Sequence, residues 1–74
     1  MDKDSIYETI SYNIKKYRKK MGITQAELAE RVDLSHEFIR RIESVKGKKN
    51  FSIDTIYRIS IALDVDIDKF FRKK

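Results

Sequence analysis

The sequence predicts an all-α domain organised around two short helices joined by a tight turn. Three observations carry that expectation. Apolar residues recur at spacings of three and four, the helical period. Capping residues, Thr24, Ser35 and Ser52, stand ahead of successive apolar stretches. Proline is absent and glycine occurs only at Gly22 and Gly47, so element boundaries must be set by caps and periodicity. Read this way, the chain divides into five helices.

The first helix places Ile6, Ile10, Ile14 and Tyr17 on one stripe, with Lys15, Lys16, Lys19 and Lys20 on the opposite side and Gly22 as its C-terminal cap. Thr24 opens the second helix. Glu27, three residues on, completes a capping box, and the helix runs to about Arg31 or Val32. Asp33 and Leu34 form the turn, and Ser35 caps a third helix whose inward side is Phe38, Ile39 and Ile42. Two short helices separated by so few residues meet the requirement of a helix-turn-helix. The polar stretch Ser44 to Asn50, with Gly47 and three lysines, reads as a loop. Ser52 then caps a fourth helix with Ile53, Ile56, Ile59, Ser60 and Leu63 on or near one face, and Asp54 complements its positive end. After a turn at Asp64 to Asp66, a short last helix carries Ile67, Phe70 and Phe71. Residues 1–5 and 72–74 are expected to fray.

Composition narrows the function. The 74 residues hold one domain, 41% hydrophobic and 39% charged, apolar enough to pack a core. Cysteine is absent and histidine occurs once, which removes disulfides and leaves no metal cluster, and no glycine-rich phosphate loop is present. Neither an enzyme nor a cofactor or small-molecule ligand is therefore expected. No apolar run approaches the roughly 20 residues that span a bilayer, and no signal peptide is evident, so a cytoplasmic protein is expected. Lysine and arginine number 17 against 12 acidic residues, a net charge of +5 that is clustered and points to a polyanionic partner.

The run GITQAELAERVDLS from Gly22 to Ser35, followed by FIRRIE from Phe38 to Glu43 and LDVDIDKFF from Leu63 to Phe71, resembles the phage repressor and Cro-like family, also called the XRE family. The resemblance implies a five-helix, lambda-repressor-like fold, residues 1–74 as a single helix-turn-helix domain, and a transcriptional regulator, a repressor in the first instance. It also implies a homodimer on double-stranded DNA with a palindromic operator. Two features depart from the family pattern. Asp33 stands where the family usually has glycine, although Asp tolerates a left-handed turn better than most residues. The segment from Ser44 to Phe51 replaces a usually shorter loop with a glycine and a proline.

In a helix-turn-helix the second helix of the motif lies in the major groove with its N-terminal residues on base edges, while the first crosses the backbone. Ser35, His36, Glu37 and Arg40 or Arg41 fall on the polar side of that reading helix, residues 35–43. His36, Glu37 and Arg41 match the family's base-reading positions, and an arginine can donate twice to guanine O6 and N7. Glu37 either accepts from a cytosine amine, or orients Arg41 at i+4, or faces solvent; His36 touches a base, a phosphate or nothing. Gln25 matches the family residue that holds a phosphate at a helix N-terminus, beside the cap Thr24. Arg40, Lys46, Lys48 and Lys49 are further phosphate candidates, and the lysines of the first helix read as its wet side. The family also pairs an arginine at the position of Arg18 with a glutamate at the position of Glu43, which would make both structural.

The rival to DNA binding is a protein-interaction module, such as the antitoxin of a toxin-antitoxin pair, docking through Ile67, Phe70, Phe71 and nearby Tyr57. The same aromatics could close the core. For a homodimer contact, Ile67, Phe70 and Phe71 on the last helix are the candidates.

Overall fold

A computed structural model describes residues 3–44 and 51–73. Among these lie four α-helices, α1 (Lys3–Met21), α2 (Gln25–Val32), α3 (His36–Glu43) and α4 (Ile53–Ala62), then a 3₁₀ segment (Ile67–Phe71), and no strand. The fold is all-α as expected, but the fifth element is not an α-helix. A span of five residues is too short to repay α-helix nucleation, and the tighter i→i+3 pattern is the common outcome in so short a piece. The Lys69 N–H accordingly bonds the Asp66 carbonyl at 3.0 Å.

Helices α2, α3 and α4 each begin where the sequence offers a cap. Thr24 Oγ1 accepts from the Glu27 N–H at 3.0 Å while the Glu27 carboxylate accepts from the Thr24 N–H at 2.8 Å, a complete capping box. Ser35 Oγ accepts from the Phe38 N–H and Ser52 Oγ from the Thr55 N–H, fixing the starts of α3 and α4. Helix α1 begins at Lys3, inside the segment expected to fray. The ends of α1, α2 and α4 share a different device, a residue with positive φ: Gly22 (79°), Asp33 (57°) and Asp64 (56°). Beyond each, the chain closes back on the helix, with Ile23 N–H to Arg18 O, Leu34 N–H to Ala29 O and Val65 N–H to Ser60 O. Asp33 thus adopts the conformation for which glycine is the usual choice, and the turn between α2 and α3 keeps its geometry.

The capping box gives a pH-dependent prediction. Donation to Glu27 from the Thr24 backbone N–H, then from the Thr24 hydroxyl, with Arg31 a turn away, holds its carboxyl below its ordinary value near 4.5. A carboxyl depressed in the folded state adds stability above its unfolded pKa, and that stability is lost as pH falls through the folded one. Glu27→Gln keeps an acceptor but cannot titrate. Its stability should therefore change less than that of the parent between about pH 5 and pH 3; parallel denaturation curves across that range would remove the ionised cap from the account.

The core gathers Ile10 and Ile14 of α1, Leu28, Ala29 and Val32 of α2, Ile39 and Ile42 of α3, Ile56 and Ile59 of α4 and Phe70 of the 3₁₀ segment, with Ile23, Phe51 and Leu63 from the connections. Two residues expected on inward stripes lie elsewhere. Ile6 is exposed because α1 there borders an open groove shared with Ile53 and Phe71. Ile53 is exposed because it leads a separate line of α4 residues, a step round the helix from buried Ile56, Ile59 and Leu63. Phe51 at the head of α4 is buried instead, its ring edge-on to Tyr7 at 5.1 Å. Buried Asn13 ties the chain end to α1, its Nδ2 donating to the carbonyls of Phe70 (2.9 Å) and Arg72 (2.8 Å). Two groups that would otherwise be desolvated without partners are thereby satisfied.

Candidate nucleic-acid interface

One buried polar network ties α3 to the rest of the domain. Arg18, near the end of α1, donates from Nε to Glu43 Oε2 at 2.7 Å and from a terminal nitrogen to Oε1 at 3.0 Å; both side chains are buried. The other terminal nitrogen of Arg18 donates to the Ile23 carbonyl at 2.7 Å, and Gln25 Nε2 donates to Glu43 Oε1 at 3.0 Å. A forked guanidinium on a carboxylate is among the strongest and most directional of protein contacts. Here it joins the end of α1, the connection to α2, the first residue of α2 and the last residue of α3. The angle between α2 and α3 is set by these bonds as well as by apolar packing.

With its apolar side turned inward, α3 leaves Ser35, His36, Glu37, Arg40 and Arg41 exposed, while Ile39, Ile42 and Glu43 are buried and Phe38 is half-buried against the core. Glu37 and Arg40 form an ion pair at 3.5 Å, three residues apart and both more than half exposed. The sequence alone leaves Glu37 a base, Arg41 or solvent, and Arg40 is a further partner that it does not suggest. The observed pair shows that Arg40 sits on the flank of the exposed strip, next to Glu37, where its charge is partly offset. Exposed pairs of this kind contribute little stability and are readily exchanged for another partner.

At the start of α2, Thr24 is exposed and committed to the capping box, and Gln25 is half-buried with its amide nitrogen on Glu43. A phosphate role for Gln25 must therefore use the rest of its amide and the unpaired N–H groups of the first turn. Sequence reasoning missed the inward bond because its acceptor lies 18 residues away. Missed likewise was Arg58 of α4, which donates to the carbonyl of Val32 and lies 4.0 Å from Asp54. A cation there complements the negative end of α2 and braces the turn that leads into α3.

Lys15, Lys16, Lys19 and Lys20 of α1 are exposed, with Lys16 and Lys20 at 5.4 and 5.7 Å from the half-buried Tyr17 ring, as on the wet side of an amphipathic helix. Lys46, Lys48 and Lys49 lie outside the described residues. Among the candidates for a dimer contact, Phe70 must be withdrawn: it is fully buried, because the 3₁₀ turn points it between α1 and α4. Ile67 is half-buried and Phe71 exposed. Among the described residues no helix is long and apolar enough to cross a membrane, and no cluster of metal-ligating side chains occurs.

The geometry is that of a helix-turn-helix with one exposed, mixed-charge strip on its second helix. Comparison with known proteins agrees. The family model described as helix-turn-helix matches residues 14–70. Two proteins of Archaeoglobus fulgidus, both called uncharacterized HTH-type transcriptional regulators, are 40% and 38% identical over 58 residues; each alignment spans 78% of this chain, and 79% and 80% of the relatives. A protein of the same description from Methanothermobacter thermautotrophicus is 42% identical over 50 residues, 68% of this chain and 70% of its own length. The crystal structure of a hypothetical transcription factor, NHTF, from Neisseria superposes with a TM-score of 0.85 over 99% of this chain and 82% of that one; at 22% identity it shows the shared fold. The chain belongs to the XRE-type helix-turn-helix family and is a DNA-binding transcriptional regulator.

Proposed function

We propose that this chain is a sequence-specific repressor that acts in the cytoplasm as a homodimer on a palindromic operator, with α3 in the major groove. The observation that carries the reading is the exposed strip of α3 held in fixed register by the Arg18, Glu43 and Gln25 network. Arg41 reads a guanine, and Ser35, His36 and Glu37 contact neighbouring base edges from the start of the helix. Thr24 and Gln25 at the head of α2 face the phosphates, with Arg40 on the flank and Lys46, Lys48 and Lys49 as further backbone contacts. The dimer follows from the size of the site. One helix covers only a few base pairs, and two half-sites about one DNA turn apart supply the remaining affinity and specificity. Repression then requires only that the bound dimer occupy its operator.

Phosphate contacts position a protein and base contacts select the sequence, so the two can be separated. Selection from random duplex DNA should enrich a palindrome. Against that site, Arg41→Ala should cost about 1–3 kcal/mol of discrimination per half-site while leaving nonspecific binding nearly unchanged. Titrations on the selected site and on a scrambled duplex measure the ratio; an unchanged ratio would take Arg41 out of base reading. The logarithm of affinity should fall with the logarithm of salt by about 0.9 per phosphate neutralised, and a flat dependence would tell against DNA altogether.

A further inference from the structure

A row of lysines on an amphipathic helix is ordinarily its wet side, but a cleft lined by one sign of charge concentrates their field. Along α1, Glu8, Tyr12, Lys15 and Lys19 follow one another at intervals of four, three and four and so share one face. Between this face and the end of α3 lies an open groove of about 560 Å³, within the range of small-molecule sites. Lys16 joins Lys15 and Lys19 in lining it, Ser11 lines it from within α1, and Glu43 bounds it on the side of α3. Among the described residues none of the three ammonium groups is paired with a carboxylate. Glu43 adds no free charge, because Arg18 holds its carboxylate at 2.7 Å. The wall therefore carries three cations against the exposed carboxylate of Glu8, a local excess of two. A second observation is independent of charge. Ser11 Oγ is sealed from solvent and has no hydrogen-bond partner among the described residues. A buried hydroxyl left unpaired costs stability, so its place in the groove calls for an explanation.

We propose that this groove binds a small aromatic monophosphate, with the phosphate on Lys15, Lys16 and Lys19 and the ring on Tyr12. The site uses neither the exposed strip of α3 nor the head of α2, so it goes beyond the function proposed above. Three features select this chemistry. A phosphate monoester carries close to two negative charges near neutral pH, which matches the local excess of two cations, and lysines hold such a group as mobile point charges. Tyr12, 46% exposed, offers an aromatic surface beside the lysines on which a flat ring can stack. Ser11 supplies a polar contact at the floor, where a ligand oxygen would give its hydroxyl the acceptor it lacks. Inorganic phosphate alone would leave the Tyr12 ring and most of the volume unused. A backbone phosphate of duplex DNA carries one charge and brings no unstacked ring.

Adenosine monophosphate serves as the probe, with adenosine and inorganic phosphate as its two halves. Calorimetric titration of the full chain, without DNA, should give a sub-millimolar dissociation constant for the monophosphate, and each half should bind at least about 10-fold more weakly. Lys15→Met combined with Lys19→Met should weaken the monophosphate by about 10-fold or more, and Tyr12→Ala by about 5-fold or more. Lys73→Met removes a charge of the same kind at the chain end and should change its affinity by less than about two-fold. Ser11→Ala separates a ligand contact from a structural role. It should weaken binding by about 2- to 10-fold while leaving the thermal midpoint of the free chain unchanged or higher, since no internal bond is lost. Melting monitored by circular dichroism checks that every variant is folded. A chain that ignores the monophosphate overturns the proposal. So do halves that bind as well as the whole, or a loss at Lys73→Met equal to that at the groove lysines. If the groove instead holds the DNA backbone, the monophosphate will not bind, and the double lysine variant will lower operator affinity with a salt slope shallower by about 0.9 for each phosphate released; that result also overturns it. Failure of the operator reading would look different: the monophosphate bound as expected by a chain that no duplex retains.

Discussion

Glu43→Leu should destabilise the domain by about 3–5 kcal/mol, the cost of leaving Arg18 buried without its counter-charge. A chain of this length is stable by about 4–11 kcal/mol in all, so the variant will be largely unfolded on warming if not at room temperature. Arg18→Met should cost a similar amount for the opposite reason: among the described residues Glu43 keeps only the Gln25 amide, and the Ile23 carbonyl loses its donor. The double variant Arg18→Met with Glu43→Leu should recover much of either loss, because buried ion pairs are often replaceable by apolar side chains of similar volume. Urea denaturation of the four proteins forms a double-mutant cycle, and the coupling it yields should be well above 1 kcal/mol. Single variants that lose less than that would mean water reaches the pair. The double variant has a second use. If the network sets the angle of α3 as well as stabilising the fold, the recovered protein should still bind its operator less tightly than the parent does.

How much of this was legible in the sequence depends on the range of the interaction. Caps are local, and Thr24 with Glu27, Ser35 and Ser52 each stand where a helix begins. The two sides of α3 followed from periodicity, because a helix of eight residues with Ile39 and Ile42 inward leaves little freedom for the rest. What escaped depends on chain segments that meet only in three dimensions. Asn13 reads as a polar interruption of the first apolar stripe until residues 70–72 return to α1 and present it with carbonyls. Phe51, at the edge of a polar loop, reveals itself as core only when Tyr7 is beside it. On α4 the isoleucines fit two lines at once, and periodicity alone assigned Ile53 to the inward one. The candidate site divides in the same way. The exposed residues of α3 were readable from the helical period, whereas the inward bond of Gln25 and the pairing of Glu37 with Arg40 required the folded chain.

The adjacent phenylalanines Phe70 and Phe71 should differ more than two-fold in what they contribute to stability. Phe70 is fully buried, its ring 6.2 Å from that of Tyr17, and its carbonyl is held by Asn13. Removing a buried phenyl ring costs its transfer free energy plus a cavity, so Phe70→Ala should lose about 3–5 kcal/mol. Phe71, one residue on, leaves nearly half of its surface in water, and Phe71→Ala should lose well under half as much. The helical period cannot make this distinction, because the turn per residue in a 3₁₀ segment exceeds that of an α-helix and the inward direction shifts accordingly. Thermal unfolding of both variants, under conditions where the parent chain is monomeric, isolates the packing effect from any contribution of Phe71 to pairing. Each kcal/mol should move the midpoint by about 4–8 °C for a domain of this size, so the two variants should melt at least about 6 °C apart. Equal losses, or the greater loss at Phe71, would mean that the end of the chain packs on α1 in another register, and the groove between Ile6, Ile53 and Phe71 would disappear with it.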